Sequence, residues 1–262
     1  MMRSLDIGAT GMLAQQMNVD VISNNIANMT TSGFKRQRLE FQDLLYQDLR
    51  RPGATSSDSG TIVPTGIQLG LGVRPVATMR SHEQGSISLT ENPLDLAISG
   101  EGFFQVLLPN GETAYTRAGA LSMDADGTIV TQQGYIVEPQ ITIPTDATSI
   151  EINESGEVWV KSPGQTALQN VGQIELAMFA NPAGLDAIGD TMFQETDASG
   201  AVTTGAPATE NFGKVQQNAI EQSNVNVVEE ITRLITAQRS YEMNSNVIST
   251  TDEMLNTVNQ LR

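Results

Sequence analysis

Val227-Val228-Glu229-Glu230-Ile231-Thr232-Arg233-Leu234 opens a stretch that runs to Arg262 without a glycine or a proline. Within it Val227, Leu234, Tyr241, Ile248 and Leu255 stand seven residues apart, and Val228, Ile231, Ile235, Met254, Val258 and Leu261 widen the stripe. A seven-residue apolar period keeps one helix face turned toward a partner, so the stretch reads as a long helix with a coiled-coil seam. The glycine- and proline-free run begins at Lys214, which assigns the whole of 214–262 to this helix. Asn226 and Glu229 sit as a capping box just ahead of the stripe.

The opposite end of the chain repeats the pattern. Leu5, Met12, Val19 and Ile26 are also seven apart, supported by Ala9, Leu13 and Ile22. Gly8 and Gly11 weaken this helix by about 1 kcal/mol each, so it is expected to need a partner. Two helices that share a period at the two chain ends favour antiparallel pairing over two separate helices on their own cores. The outside of the C-terminal helix carries Asn, Ser, Thr and Gln where a solvated helix carries Glu and Lys. That surface is suited to meeting other proteins.

Between the helices the regime changes. All ten prolines lie between Pro52 and Pro207, and residues 52–213 hold nineteen of the thirty acidic side chains. Leu94–Ile98, Phe103–Leu108, Ile141–Ile143, Ile150–Ile152, Val158–Val160 and Ile174–Phe179 read as short strands. Asn110-Gly111, Asp126-Gly127, Gln133-Gly134, Ser155-Gly156 and Ser199-Gly200 punctuate them as tight turns. The expected fold class is α+β: long terminal helices pairing as a coiled-coil-like domain, and a β-rich antiparallel middle. The expected domains are 1–33 with 214–262 as a helical polymerisation domain, 34–75 as a connector with an extended arm, and 76–213 as an outer β-domain. Ile62, Val63, Ile67 and Leu69 mark the arm as a contact surface, because a loose linker would carry Ser or Glu there.

Composition excludes several functions. The net charge of −16 argues against nucleic acid, whose phosphates require clustered Lys and Arg. With no cysteine and a single histidine, His82, thiol catalysis, disulfide scaffolds, Cys/His zinc sites and His-dependent triads lack parts. No apolar run approaches the roughly 20 residues of a membrane span, and no apolar segment of signal-peptide type follows Met1, so no membrane insertion and no cleaved signal are expected. Catalytic motifs are missing: there is no Gly-x-Ser-x-Gly elbow, no phosphate loop and no complete dinucleotide fingerprint. Asp124-Ala125-Asp126-Gly127 starts like a calcium loop, but Tyr135 stands where the bidentate Glu belongs, so a hairpin turn is expected. No catalytic residue, metal ligand or cofactor is assigned.

Ser23-Asn24-Asn25-Ile26-Ala27-Asn28-Met29-Thr30-Thr31-Ser32-Gly33-Phe34-Lys35 ends the first helix in capping residues, with Gly33 placed for a left-handed turn and Phe34 as an anchor. This stretch resembles the N-terminal signature of bacterial flagellar rod and hook proteins, through Asn24, Asn25, Asn28, Thr30, Gly33 and Phe34. Gln238-Arg239-Ser240-Tyr241-Glu242-Met243-Asn244 is similar to the family's closing helix. Asn92–Ile98 with Gly102-Phe103-Phe104, and Tyr115-Thr116-Arg117-Ala118-Gly119, resemble its β-domain blocks. Gly72–Thr78 and Ser223–Glu230 look like a rod member, the hook protein being larger in the middle. One departure is Gln217-Asn218, where relatives tend to have Gln-Gly.

The resemblance implies a structural subunit, not an enzyme, that polymerises with itself into a rigid, hollow helical drive shaft across the periplasm. Leu5, Met12, Val19, Ile26, Val227, Leu234, Tyr241, Ile248 and Leu255 would then be subunit-packing residues. It also implies other rod proteins, the hook protein, the surrounding outer-membrane and peptidoglycan ring proteins and the flagellar type III export apparatus as partners. Phe41 and Leu45 fit a short Phe-x-x-x-apolar pattern linked to the export gate, and Phe41 as a plain packing residue fits equally well. On residues alone, a secreted acidic enzyme or adhesin dimerised by its terminal helices stays open.

Overall fold

The computed structural model describes residues 2–52, 65–164, 167–209 and 211–260. Ile62, Val63 and Leu261 therefore lie outside the described residues. The chain falls into two compact units: Met1–Ile26, Gln37–Met79 and Val227–Arg262 form one, and Ala27–Arg36 with Arg80–Asn226 form the other.

The first unit is built on two helices, α1 (Met2–Ala27) and α2 (Val227–Gln260), which pack together. Gly8 faces Ile248, Gly11 faces Asn244, and Asn25 bonds Glu230, so positions rise along α1 as they fall along α2 and the pair is antiparallel. The glycines that weaken α1 have a packing reason. A Cβ on Gly8 would stand 2.9 Å from Ile248 Cγ1, and one on Gly11 would stand 2.8 Å from Asn244 Nδ2. Two strands, Gln37–Asp43 and Val73–Arg80, pair beside a hairpin of Tyr46–Arg50 and Ile67–Gly70. Gly72, at φ +120°, backs onto Thr10, a position no larger residue would fit.

The second unit is antiparallel β-structure. Its nine-stranded sheet centres on Phe103–Leu107, flanked by Thr113–Thr116, Ile136–Glu138 and Leu176–Met178. The main core gathers Leu96, Ile98, Phe104, Leu121, Ile129, Ile143, Val158, Ile174 and Leu176. A smaller aromatic cluster holds Phe103, Tyr115, Phe179, Leu185 and Phe193. The five glycines read as turn positions, Gly111, Gly127, Gly134, Gly156 and Gly200, all have φ between 76° and 86°. Every described Asp and Glu of residues 76–213 is exposed or half-buried.

The C-terminal helix is shorter than its glycine-free run suggests. Lys214–Gln217 and Ala219–Glu221 are strands, paired with Leu96–Ser99 and Ile87–Leu89, and the helix starts at Val227. Lacking glycine permits a helix without requiring one. Val215, Ala219, Glu221 and Ser223 are buried at alternate positions, a strand period, and Asn218 between the strands has φ +56°, which no α-helix accommodates.

Candidate functional site

The face of the helix pair is the first candidate. Apart from Ile22, its innermost residues are small or polar: Ala14 and Asn25 on α1, and Glu230, Ala237 and Thr251 on α2, all of them at most 3 % exposed. The large apolar residues of the seven-residue period sit at the margin of that seam. Leu5, Met12, Val19, Ile26, Val227, Leu234, Ile248 and Leu255 are half-buried, and Tyr241 is 43 % exposed. Beyond them Leu13, Met17, Val228, Ile231, Ile235, Met243, Val247, Met254 and Val258 are exposed. The pair therefore leaves these apolar residues partly or largely uncovered.

A groove of about 490 Å³ runs within the same unit, lined by Val21, Ile22, Leu39, Phe41 and Ala237, with Gln15, Asn18, Thr232, Thr236 and Ser240 among its polar residues. The hydroxyls of Thr232, Thr236 and Ser240 each donate to the carbonyl four residues back, at 2.8, 2.9 and 2.9 Å. These polar side chains are satisfied within their own helix. Phe41 is 36 % exposed at the groove and Leu45 is 84 % exposed. Ile67 and Leu69 lie on the hairpin, at 53 % and 42 % exposure.

The Asn-rich stretch that closes α1 is the second candidate. Asn25 is buried and donates from Nδ2 to Gln37 O at 2.8 Å and to Glu230 Oε2 at 3.1 Å, while accepting from Gln37 N–H at 2.9 Å. Asn28 accepts from the Thr31 hydroxyl at 3.1 Å. Gly33 has φ +70°, the left-handed turn its position suggested, and an added Cβ would stand 2.6 Å from Ala118 N. Thr30 is exposed and Phe34 half-buried.

Next to Gly33 the structure buries charge. Lys35 Nζ donates to Glu221 Oε1 at 2.6 Å and to Glu83 O at 2.8 Å. Arg117 reaches Glu221 Oε2 at 3.3 Å and the carbonyls of Ile98 and Gly100 at 3.3 and 2.6 Å. Glu221 also accepts the Gly85 N–H at 2.9 Å. Burial pulls Lys35 and Arg117 below their ordinary pKa values, and the Glu221 carboxylate opposes that pull. His82 packs edge-on against Phe103 and Phe193, and burial brings it down to about 4, helped by the charges of Arg80, Lys35 and Arg117.

Residues 5–35 match the flagella basal body rod protein family, residues 97–160 the flagellar hook protein FlgE/F/G D1 domain, and residues 216–261 the flagellar basal body rod FlgEFG protein C-terminal region. The chain is 59 % identical to the flagellar basal-body rod protein FlgG of Caulobacter vibrioides over 261 residues, 100 % of both chains. It is 50 % identical to the FlgG of Agrobacterium fabrum, with 99 % of each chain covered, and 40 % identical to that of Bacillus subtilis, with 97 % of each covered. The chain belongs to the flagellar basal-body rod protein family.

As a rod protein it carries the signature residues Asn24–Phe34 inside the first matched block and α2 inside the last. Sequence reasoning did not single out Lys35, Arg117, Glu221 or Glu230 as sites. Lys35 and Arg117 stand within the blocks quoted for the family resemblance, which was the available signal. Glu230 closes the quoted block Ser223–Glu230 and shares that signal; Glu221 had none, because a lone Glu in a polar stretch reads as surface.

Proposed function

We propose that this structural subunit of the flagellar rod assembles with copies of itself into the rigid, hollow, helical shaft of the distal rod, spanning the periplasm and passing torque from motor to hook. The observation that carries this reading is the apolar surface of the helix pair. Its own contact is made through Gly8, Gly11, Ala14 and Ala237, which leaves Leu234, Tyr241, Ile248 and Leu255 partly open and Ile231, Ile235 and Met243 exposed. Full burial of each such side chain is worth about 1.5–3 kcal/mol, and a neighbouring copy supplies the cover. On this reading Leu5, Met12, Val19, Ile26, Val227, Leu234, Tyr241, Ile248 and Leu255 pack between subunits, and both helices order fully only on joining the polymer.

The acidic side chains of residues 76–213 support an outward role for the β-domain. None is buried among the described residues, so a shaft built this way would present a like-charged surface that slides against a surrounding ring without sticking. The hairpin residues Ile67 and Leu69, with Ile62 and Val63, contact neighbouring subunits and set the filament's shape. Other rod proteins and the hook protein cap the two ends of the shaft, and the outer-membrane and peptidoglycan rings surround it. Export runs through the flagellar type III apparatus, with the exposed Leu45 and the groove residue Phe41 as the docking pair.

Electron microscopy of the concentrated chain tests the reading. Helical tubes are expected, and deletion of residues 56–70 should change their curvature or stiffness while the β-domain stays folded. A chain that stays monomeric or dimeric at high concentration overturns it.

A further inference from the structure

Three segments distant in sequence meet around Glu221 and Asn224 in the second unit. Gly33 N–H donates to Glu221 O at 2.9 Å, and Lys35 Nζ to Glu221 Oε1 at 2.6 Å. Arg36 N–H donates to Asn224 Oδ1 at 2.7 Å, and Ser81 N–H returns to Arg36 O at 2.9 Å. Asn224 Nδ2 donates to Ser81 O and Glu83 O, at 3.0 Å each. The chain leaving α1 (residues 31–36), the chain returning at 81–85 and the chain entering α2 (221–224) are thus tied by side chains that reach across more than 130 positions.

We propose that this clasp stays closed in the free subunit and holds the exit of α1 beside the entry to α2, so that the two helices pair as though joined by a short loop when the subunit adds to the polymer. The proposal rests on the assembly reading above, in which the helices order on joining. Counted from the Lys35–Glu221 pair, about 13 residues (27–34 and 222–226) separate Ile26 from Val227 with the clasp closed; with it open, the first segment is tethered only from residue 80 onward and the span grows to about 60. Loop-closure entropy scales as three-halves of the logarithm of length, so closing the clasp raises the helices' effective concentration for each other roughly tenfold. Glu221 suits this role because one buried carboxylate holds a cation from residues 31–36, Arg117 and the Gly85 N–H at once, and releasing either cation would strand a charge.

The test uses the full chain with Lys35→Met and, separately, Asn224→Ala, which removes the hydrogen bonds without touching a buried charge. Segment-resolved hydrogen exchange of the dilute monomer should protect residues 31–36 and 221–224 in the parent while α1 and α2 exchange freely. Both variants should lose that protection, keep it at Phe103–Leu107, and elongate on preformed filament seeds about tenfold more slowly. Free exchange of residues 31–36 in the parent monomer, or parental elongation rates in both variants, would overturn the clasp. If the parent forms no filaments, the assembly reading fails, and the exchange pattern still decides whether the clasp is closed. Loss of protection throughout the β-core in Asn224→Ala would mean the cluster is only part of the general core, which also overturns it.

Discussion

Lys35 and Glu221, 186 positions apart, form an ion pair of 2.6 Å in which both side chains are at most 1 % exposed. Arg117 shares the same carboxylate. One anion between two cations makes Glu221 the member whose loss leaves most unbalanced. Glu221→Gln should destabilise the β-domain by about 3–5 kcal/mol, read from urea unfolding, because two buried cations lose their counter-charge. Adding Lys35→Met to that variant should restore part of the loss, so the two changes will not sum. Simple additivity would mean the pair is not coupled.

His82 gives the β-domain a pH response. Its folded pKa of about 4 lies below the unfolded 6.5, chiefly from burial and then from Arg80, Lys35 and Arg117, with a hydrogen bond to the Pro182 backbone opposing. Between those values the unfolded chain binds a proton that the folded chain does not, so stability falls as pH drops through 6.5 to 4, by up to about 3 kcal/mol. Denaturation midpoints across this window, compared with those of His82→Phe, measure the effect. The variant should show a flatter slope, and an equal slope would assign the response to other groups.

Asn218 occupies the left-handed region at φ +56° between two strands. Asn218→Ala should cost about 1–2 kcal/mol although the position is exposed, and Asn218→Gly should stay within about 0.5 kcal/mol of the parent. Thermal unfolding of the two variants side by side is sufficient. Equal stability of the Ala and Gly forms would contradict the backbone argument.

Leu234 is half-buried on α2, in line with Tyr241 and Ile248. Leu234→Asp should abolish filament formation and leave the thermal transition of the β-domain within about 1 °C, since Leu234 belongs to the helix unit and not to that domain. Sedimentation at high concentration, with a calorimetric scan, separates the two effects. Filaments that persist in the variant would remove this face from the interface.

The period of the terminal helices was legible from residues alone, but which of its positions face inward was not. Leu234, Tyr241 and Ile248 form the visible series, yet Glu230, Ala237, Asn244 and Thr251 repeat with the same spacing and make the inner seam. Hydrophobicity points to the first series because it takes the larger apolar residue as the more buried, and close helix approach reverses that ranking. Turn glycines such as Gly33 and Gly127 were readable because a positive φ selects residue type locally. The buried Lys35–Glu221–Arg117 cluster was not, because pairing across more than a hundred residues leaves no local trace. The strands at Lys214–Gln217 and Ala219–Glu221 were not legible, because the run lacks glycine and proline and its alternation lies in burial, with the polar Glu221 and Ser223 among the buried positions.

The helix pair also contains a vernier. A stripe of apolar side chains with a seven-residue repeat would tolerate one helix sliding past the other by a whole repeat. Notches at Gly8 and Gly11 admit Ile248 and Asn244 at one end, and the Asn25–Glu230 hydrogen bond closes the other. A slip of seven residues would lift Glu230 off its amide and move Ile248 and Asn244 out of the notches they fill. Only one alignment satisfies both ends, so in the proposed shaft every copy would present its outer surface at the same height, and a stack of identical copies would stay straight over its length without a separate ruler.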